Sequence, residues 1–593
     1  MPVAIPTVSV SMQNHSGTVV YRNLVINQAV NDHHHFSFIW NVGTLNHDAS
    51  SQLDIIKNNI GSIVTIEIDD NTFQGVITQI SVHEQTDRTQ SFTVKGQSLT
   101  ILLDDIPHSA SYYKKNLEKI IKSTLEGIPS NVLKKEIDPQ SKDEHHYIAQ
   151  YNETDWQFLQ RLASRYGEWF YFEGSKLIFG TSGDSGAVLR SGSNLTSYTI
   201  KANIVPNKFS YCSYDYHKGE PVNKELGSFS SDVQNDFSSA ATNKSKEVYS
   251  RVTDRPMHNF NVVNKGMAES IAELETKRLA AQLLFAIGES KHGGLKPGCK
   301  FTVKSNGSYE YIATHVIHMS NVVGHYENTF QAVPASVKVP PYTNPHIFRK
   351  ADVQTAIVKE NYDPDGINRL KVQFFWQKQN DMTPWIRLAT PHAGGGKGMH
   401  IIPEKGEEVI VCFEGGDVEK PFVVNSIYSG QAKSGGGDAD NNVKSFSSRS
   451  GNKIALDDQA GSVTVIDKSG NSITIDGSGN ISIDCSESII LHTGDSSFSM
   501  KKDGTIDLTG KTVSIVGDDV VIKGNNSAGI GTDAASFASN KGGDADVTGT
   551  KTTVSGKADV VVTAPNATVN GDATAKLSSM GPTSVEGAIV KLN

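Results

Sequence analysis

The chain has 593 residues, 37% of them apolar and 20% charged, with 52 glycines, 20 prolines and a formal net charge of −9. That length exceeds what one hydrophobic core fills, and the glycine-rich composition suits a soluble, turn-rich β protein better than a helical or disordered one. The acidic balance gives no general electrostatic drive toward nucleic acid or an anionic membrane surface, and no dense Lys/Arg run offsets it. Cys212, Cys299, Cys412 and Cys485 lie far apart with no CxxC pair. This argues against a zinc ribbon or a thioredoxin-like motif and for folding in a reducing compartment. Met1 to Val10 has no basic n-region or long apolar h-region, and no run of 18 apolar residues occurs. Neither a signal peptide nor a membrane span is therefore expected.

Residues 1 to about 105 read as short strands. Ser62 to Ile68 alternates with period two, Asp69-Asp70-Asn71 is a turn signal, and Thr72 to Ile80 is the return strand. Lys114 to Leu125 predicts a helix with Leu117, Ile120, Ile121 and Leu125 on one face. A second helix is predicted over Thr154 to Tyr166, opened by the capping-rich Asn152 to Asp155 and ended by Gly167. Its apolar face carries Trp156, Leu159 and Leu162. Glu168 to Phe172 and Lys176 to Phe179 read as a hairpin, Met267 to Ala286 as a long amphipathic helix, and Cys299 to Val333 as strands. Four prolines between Pro334 and Pro345 predict a linker. Ile357-Val358, Arg369 to Trp376, Trp385 to Ala389, Val409 to Phe413 and Phe422 to Ile427 follow, separated by Gly/Pro/Asp turns. Five such strands suit a small closed barrel of OB type.

After Tyr428 there is no Trp or Tyr, and only Phe446, Phe498 and Phe537 remain of the aromatic residues. Short alternating strands replace them: Ser462 to Ile466, Ser472 to Ile475, Asn480 to Ile483, Val513 to Val516, Val520 to Ile522 and Asp559 to Thr563. Their starts recur about every 8–10 residues, a repeat-like rhythm. Each strand offers one narrow Val/Ile stripe, and no helix is available to cover it. A single-chain solenoid would need a repeat long enough to close a coil. Single short strands joined by tight turns instead suit three chains wound round one axis, with each edge strand paired to a neighbour.

In its motifs the chain resembles the VgrG family, the spike protein of type VI secretion and related contractile injection systems. Ile148 to Leu162, including Tyr151, Glu153, Asp155, Phe158 and Arg161, followed by Tyr166 to Phe172, is similar to the family's helix-and-hairpin signature in its hub domain. Gly96 to Asp104 resembles the segment before it. Arg369 to Trp376, Trp385 to Arg387, Ile402 to Val409 and Phe413 to Pro421, ending at Tyr428, resemble the family's OB domain. The resemblance implies a mainly β protein with an α+β hub. Its parts would be phage-hub-like β-barrel domains with helices over 1–345, an OB-fold barrel over 346–430 and a linker over 431–445. A C-terminal intertwined triple-stranded β-helix or prism would occupy 446–593.

The resemblance further implies a homotrimer whose hub carries internal pseudo-repeats. It would sit on a hexameric Hcp-type tube among baseplate proteins and carry a PAAR-type tip protein and effector proteins. It would pierce membranes without a transmembrane segment, being made in the bacterial cytoplasm and then injected by the apparatus. Two features depart from common family patterns. The needle pattern runs almost to the terminus where relatives often carry a toxin domain. Only about 15 residues, Gly430 to Lys444, stand where phage relatives insert a lysozyme.

Several motifs invite chemistry that their surroundings do not support, so no catalytic residue, cofactor or metal site is expected. Gly183-Asp184-Ser185-Gly186 matches a protease nucleophile tetrapeptide, but it follows a predicted strand directly and no Ala-His-Cys segment accompanies it. Gly394 to Gly398 lacks the Ser or Thr that a phosphate loop needs after Lys397. His33-His34-His35 places at most two rings on one face of a strand, and His145-His146 brings no third ligand. The needle segment holds only His492, and Asp363 to Gly366 lacks the later ligands of a calcium loop. Val585 to Asn593 ends in apolar strand residues. Ile589, Val590, Leu592 and Asn593 are the candidate residues for seating a tip protein, with simple closure of the prism as the other reading. Two further readings compete with the type VI spike: a phage tail or extracellular contractile-particle spike, and a β-helical polysaccharide-degrading enzyme. The latter would need an acid/base cluster or an inserted catalytic domain.

Overall fold

The computed structural model describes residues 5–41, 49–84, 90–225, 236–251, 253–256, 265–322, 324–378, 380–532, 535–540 and 542–591. Two units divide the chain, Met1–Ser434 and Gly435–Asn593.

Period-two alternation builds the first unit. Val8, Val10 and Met12 point inward from the strand Val8–Met12, and Val64, Ile66 and Ile68 do so from Ile63–Ile68. These strands belong to a 12-stranded sheet that is antiparallel except where Gly183–Arg190 runs parallel to Cys299–Ser305. Its core gathers Phe36, Phe38, Trp40, Phe73, Phe92 and Val94. Gly96 is required beside Phe36: a Cβ there would lie 2.1 Å from the Val76 carbonyl oxygen and 2.4 Å from the Phe36 ring. The return strand, Asn71–Glu84, is longer than the sequence pattern predicts because its far end pairs with Gln90–Ser98.

Among the described residues five α-helices sit against the strands: α1 (Ala49–Asn59), α2 (Leu117–Thr124), α3 (Asp155–Tyr166), α4 (Asp236–Val248) and α5 (Lys265–Ala280). The capping signal before α3 is realised in full. The Thr154 hydroxyl accepts from Gln157 N at 3.2 Å, the Gln157 side chain accepts from Thr154 N at 3.4 Å, and Gly167 closes the helix at φ 71°. Two helix expectations need correction. Lys114 to Asn116 finish the strand His108–Asn116, so α2 starts later, capped by Asn116 accepting from Lys119 N. The predicted helix to Ala286 stops at Ala280, because Leu284–Ser290 is a strand paired on both sides in the large sheet. No periodic signal announces α4, whose buried residues are the small Ser238, Ala241, Thr242 and Ser245.

Pro334 to Pro345 is a packed strap, not a loose linker. Val337, Val339 and Thr343 are buried, and the Tyr342 hydroxyl donates to Glu168 O and accepts from Phe170 N, both at 2.7 Å. The barrel beyond it has a four-stranded sheet in the order Lys371–Phe374, Gln354–Glu360, Glu408–Phe413, Pro421–Ser426. Ile386 and Leu388 close it by single bridges to Leu370 and Val423. Tyr147 and Ala149, from the strand Glu144–Glu153, belong to the barrel's own core with Val358, Val372 and Val411.

A buried ionic cluster crosses the same joint. Arg161 on α3 forks onto Glu153, with both bonds at 2.8 Å, and reaches Glu419 of the barrel at 3.2 Å. Arg165 binds the other Glu419 oxygen at 2.6 Å. Asp417 and Lys420 are buried beside them, so three carboxylates face three cations. Burial, and then the Glu419 carboxylate, push the Asp417 carboxyl up to about 6, and burial lowers the Lys420 ammonium to about 8. Arg349 tightens the joint by donating to the Tyr151 and Asn152 carbonyls.

The second unit is built of antiparallel meanders. Val443–Ser447, Lys453–Asp457, Ser462–Ile466, Ser472–Ile475 and Ile481–Asp484 form one sheet. Ser488–Thr493, Ser496–Lys501 and Ile506–Thr509 form a second, and Ser527–Thr532, Ala535–Asn540 and Ala545–Gly549 a third. Self-contained turns join the strands of the first sheet. Asp467 accepts from Ser469 N and Asn471 N, at 2.7 and 3.0 Å, while its other oxygen takes the Asn471 amide at 2.8 Å. Asp476 repeats the pattern with Ser478 and Asn480. Along one edge Asn452 accepts from Lys468 N and Asn471 from Ser486 N, linking each turn to the next. On the opposite edge Gly477 packs on a neighbouring turn, where a Cβ would lie 2.7 Å from the Ala460 and Gly461 carbonyls.

Glu419→Ala leaves two buried guanidinium groups short of a partner. It should cost about 3–5 kcal/mol, read as a lowered urea midpoint for the first unit; a loss under about 1 kcal/mol would show the cluster to be marginal. Asn471→Ala removes both its own turn contact and its link to the next turn. Amide exchange around Ser486 should then rise about fivefold, the equivalent of about 1 kcal/mol; unchanged exchange would sink the edge-ladder account.

Candidate functional site

Strand register assembles a one-sided surface in the second unit. Phe446, Ile454, Val465, Ile473 and Ile483 are opposite one another across five strands. Two residues along, Leu456, Val463, Ile475 and Ile481 make a second row. Residues i and i+2 share a face of a strand, so all nine apolar side chains lie on one side of the sheet. Ser445, Ala455, Thr464, Thr474 and Ser482 form the matching row on the other side. The second sheet repeats the arrangement with Leu491, Phe498 and Leu508 beside Ile489, Met500 and Ile506. The third places Ile530, Phe537 and Val547 in one row.

Most of these side chains are exposed in the single chain, Ile473 and Ile475 at 46% each. Covering a half-exposed Val or Ile gains about 1 kcal/mol, so the nine-residue face alone offers roughly 10 kcal/mol to whatever covers it. Residues 510–526 and 550–591 carry no strand ladder, although the expected strands Val513 to Val516, Val520 to Ile522 and Asp559 to Thr563 fall within them. These segments have no assigned strand or helix, and from Lys557 onward they bend about every eight residues. Every residue described from Thr550 to Lys591 is exposed.

Of the candidate docking residues, Ile589 and Val590 are exposed at the last bend, and Leu592 and Asn593 lie outside the described residues. The remaining motifs have structural occupations. Ser185 Oγ donates to the Lys300 carbonyl at 2.7 Å, and Gly394 to Gly398 spans an exposed hairpin. His33 stacks on Trp156 and bonds Thr100, His34 is buried, and His35 is exposed on the adjoining strand. His145 packs on Tyr166; burial and the nearby Arg165 lower its imidazole to about 4. Asp363 is gripped by Arg369 through both oxygens, and those bonds outweigh burial to hold its carboxyl down to about 2. That grip makes Asp363 to Gly366 a locked turn instead of a cation loop. His492 is exposed on its strand. Among the described residues no group of three or more His, Cys, Asp or Glu side chains is placed to hold a metal ion. No described helix is long and apolar enough to cross a membrane.

The joint around Arg161 was not foreseen. Arg161 and Arg165 lie one turn apart on a face of α3, but their partner Glu419 lies far along the chain.

Residues 38–324 match the family model for the phage tail baseplate hub. Residues 354–428 match that for the type VI secretion system/phage-baseplate injector OB domain. Among curated proteins the chain is 26% identical over 324 residues to the type VI secretion system spike protein VgrG1b of Pseudomonas aeruginosa, covering 49% of this chain and 43% of that one. To the spike protein VgrG5 of the same organism it is 26% identical over 359 residues, 54% of this chain and 45% of the relative. The chain thus spans about half the length of the curated relatives it matches. Among solved structures, the Francisella PdpA-VgrG complex in its half-lidded form superposes with a TM-score of 0.51 at 8% identity, over 81% of this chain and 88% of that one. This likeness carries the fold. The hub and OB matches, met in that order along one chain, together with the likeness to curated spike proteins, show that the chain belongs to the VgrG family of spike proteins.

Proposed function

We propose that three copies of this chain form the spike of a contractile injection apparatus of the type VI class, with a structural and not an enzymatic role. The observation that carries this reading is the nine-residue apolar face of the first needle sheet, which has no cover within its own strands. Three identical sheets closed round an axis would turn that face inward and the Ser/Thr face outward. The segments 510–526 and 550–591 would gain ladder partners from the neighbouring copies. The base domain would sit on an Hcp-type tube hexamer within the baseplate, and the needle would lead through the target envelope. A PAAR-type tip protein and effectors would ride on its end, with Ile589, Val590, Leu592 and Asn593 as the seat. The protein would be made in the cytoplasm and delivered by contraction. The phage-tail reading shares this physics, and both matched family descriptions name phage baseplates. Secretion that persists when the type VI sheath is deleted would favour it.

Light scattering on the full chain should give a mass close to three chains, and a mass of one chain would remove the proposal. Ile473→Asp with Ile483→Asp buries two carboxylates per chain in the shared interior, each costing several kcal/mol. It should lower the mass toward one chain while the base domain keeps its unfolding midpoint. Deleting the last ten residues should leave the trimer intact and abolish capture of a PAAR-type tip protein. Tip capture by the truncated chain would assign that end to simple closure of the prism.

A further inference from the structure

A continuous line of buried polar side chains runs through the base domain where an apolar core would be expected. His34 Nε2 lies 3.1 Å from the Ala29 carbonyl, and His34 Nδ1 lies 3.2 Å from Gln28 Nε2. Gln28 Oε1 lies 2.9 Å from His318 Nε2, and His318 Nδ1 lies 2.7 Å from the Tyr326 hydroxyl. The Asn328 amide donates to that hydroxyl at 3.0 Å, and Ser290 Oγ donates to Asn328 Oδ1 at 2.9 Å. All six side chains are buried.

Donor directions in this line are forced. A carbonyl oxygen only accepts, so His34 Nε2 carries the proton and its Nδ1 must accept from Gln28. The Gln28 oxygen then accepts from His318 Nε2–H, leaving His318 Nδ1 bare to accept the Tyr326 hydroxyl proton. The Tyr326 oxygen is in turn free to accept from Asn328. One orientation satisfies every group, and it needs both imidazoles neutral. We infer that this one-way chain from Ser290 to Ala29 is an acid-sensitive latch in the core of the base domain, closed while His34 and His318 are uncharged and broken when either is protonated.

Protonating His34 puts an N–H on Nδ1 facing the Gln28 amide donor, and protonating His318 turns the Tyr326 hydroxyl proton out of the line, away from its acceptor. The titratable groups facing these rings are His33, His35 and each other, with Asp69 acting on Tyr326 at the far end. Asp104 and Asp32 act on His33. Phe73 and Phe172 flank the His34 ring, so no carboxylate is set against it. Burial accordingly lowers His34 to about 3 and His318 to about 4, from an ordinary 6.5. Both folded-state values lie below the unfolded one, so the unfolded chain takes up these protons first. Stability from this pair is full above about pH 6.5 and falls as pH drops toward 4. Two linked protons multiply the unfolding constant by about 100 for each pH unit in that window. Asp417, whose carboxyl is raised, contributes with the opposite sign. The inference does not depend on the spike reading.

The test is urea unfolding of the full chain from pH 7.5 to 4.5, with hydrogen exchange followed in Tyr21–Ala29 and Gly307–Ser320. The unfolding constant of the base domain should rise steeply below pH 6.5, with protection in those two strands lost together. In His318→Gln and His34→Gln the slope of log K against pH should each fall by about one and exchange in these two strands should lose its pH dependence, whereas His145→Gln, at another imidazole lowered by burial, should lower the slope while leaving exchange in these strands pH-dependent. Equal slopes in the wild type and both variants would overturn the latch. Where a variant does not fold, exchange at the imidazole C2 position, read on the unmodified protein by mass spectrometry, decides the matter. His34 and His318 should show no titration between pH 5 and 8, and a midpoint near the ordinary value for either would refute the inference.

Discussion

A β-sheet with nine apolar side chains on one face and Ser, Ala and Thr on the other is an incomplete object in water. Its hydrogen-bond ladders satisfy the backbone within one chain, but the side chains they align ask for a second apolar layer. The aromatic-poor composition of the needle is part of the same constraint. In the proposed trimer, Val and Ile stripes would pack closely around a narrow axis, where a Trp or Tyr ring would force neighbouring strands apart. Short strands, locally closed turns and a long exposed tail without strand ladders all suit that arrangement.

The base is organised on the opposite principle. It holds large fully buried side chains, among them Phe38, Phe158, Phe170 and Tyr171, and its barrel borrows Tyr147 and Ala149 from the neighbouring strand for its own core. The charge cluster of Glu153, Arg161, Arg165 and Glu419 spans that joint without water access. Its stabilising value over an apolar replacement is small, whereas breaking it is expensive. What such a cluster contributes is geometry: two guanidinium groups on one helix face accept only one placement of Glu419. A joint of that kind resists shear, which apolar packing alone does not.

Elements with strong local signals were legible in the sequence. The capping box at Thr154, the stop at Gly167 and the Ile63–Ile68 alternation all announce themselves within a dozen residues. The period of the second unit was legible too, because its strands alternate aliphatic residues on one face with hydroxyl residues on the other. What was not legible depends on distant partners. Leu284 to Ala286 continue a helical pattern, but two sheet neighbours claim them as strand. Tyr342 turns a proline-rich stretch into a strap through two hydrogen bonds to residues far upstream. Glu419 and His318 look like ordinary surface residues until folding places them, and their chemistry comes from burial that no local window reports. The docking reading near the terminus rests on the apolar character of Ile589, Val590 and Leu592, and Leu592 and Asn593 lie outside the described residues.

The turns of the first needle sheet have a further consequence. Asp467 and Asp476 each close a loop with the Ser and Asn that follow, so every reversal is complete without help from the body of the protein. A reach built from such self-sufficient reversals can be lengthened or shortened by whole hairpins, since removing one leaves the flanking pairs in the same phase. The length of such a meander is therefore a matter of counting hairpins, each adding the same increment without altering the turns on either side.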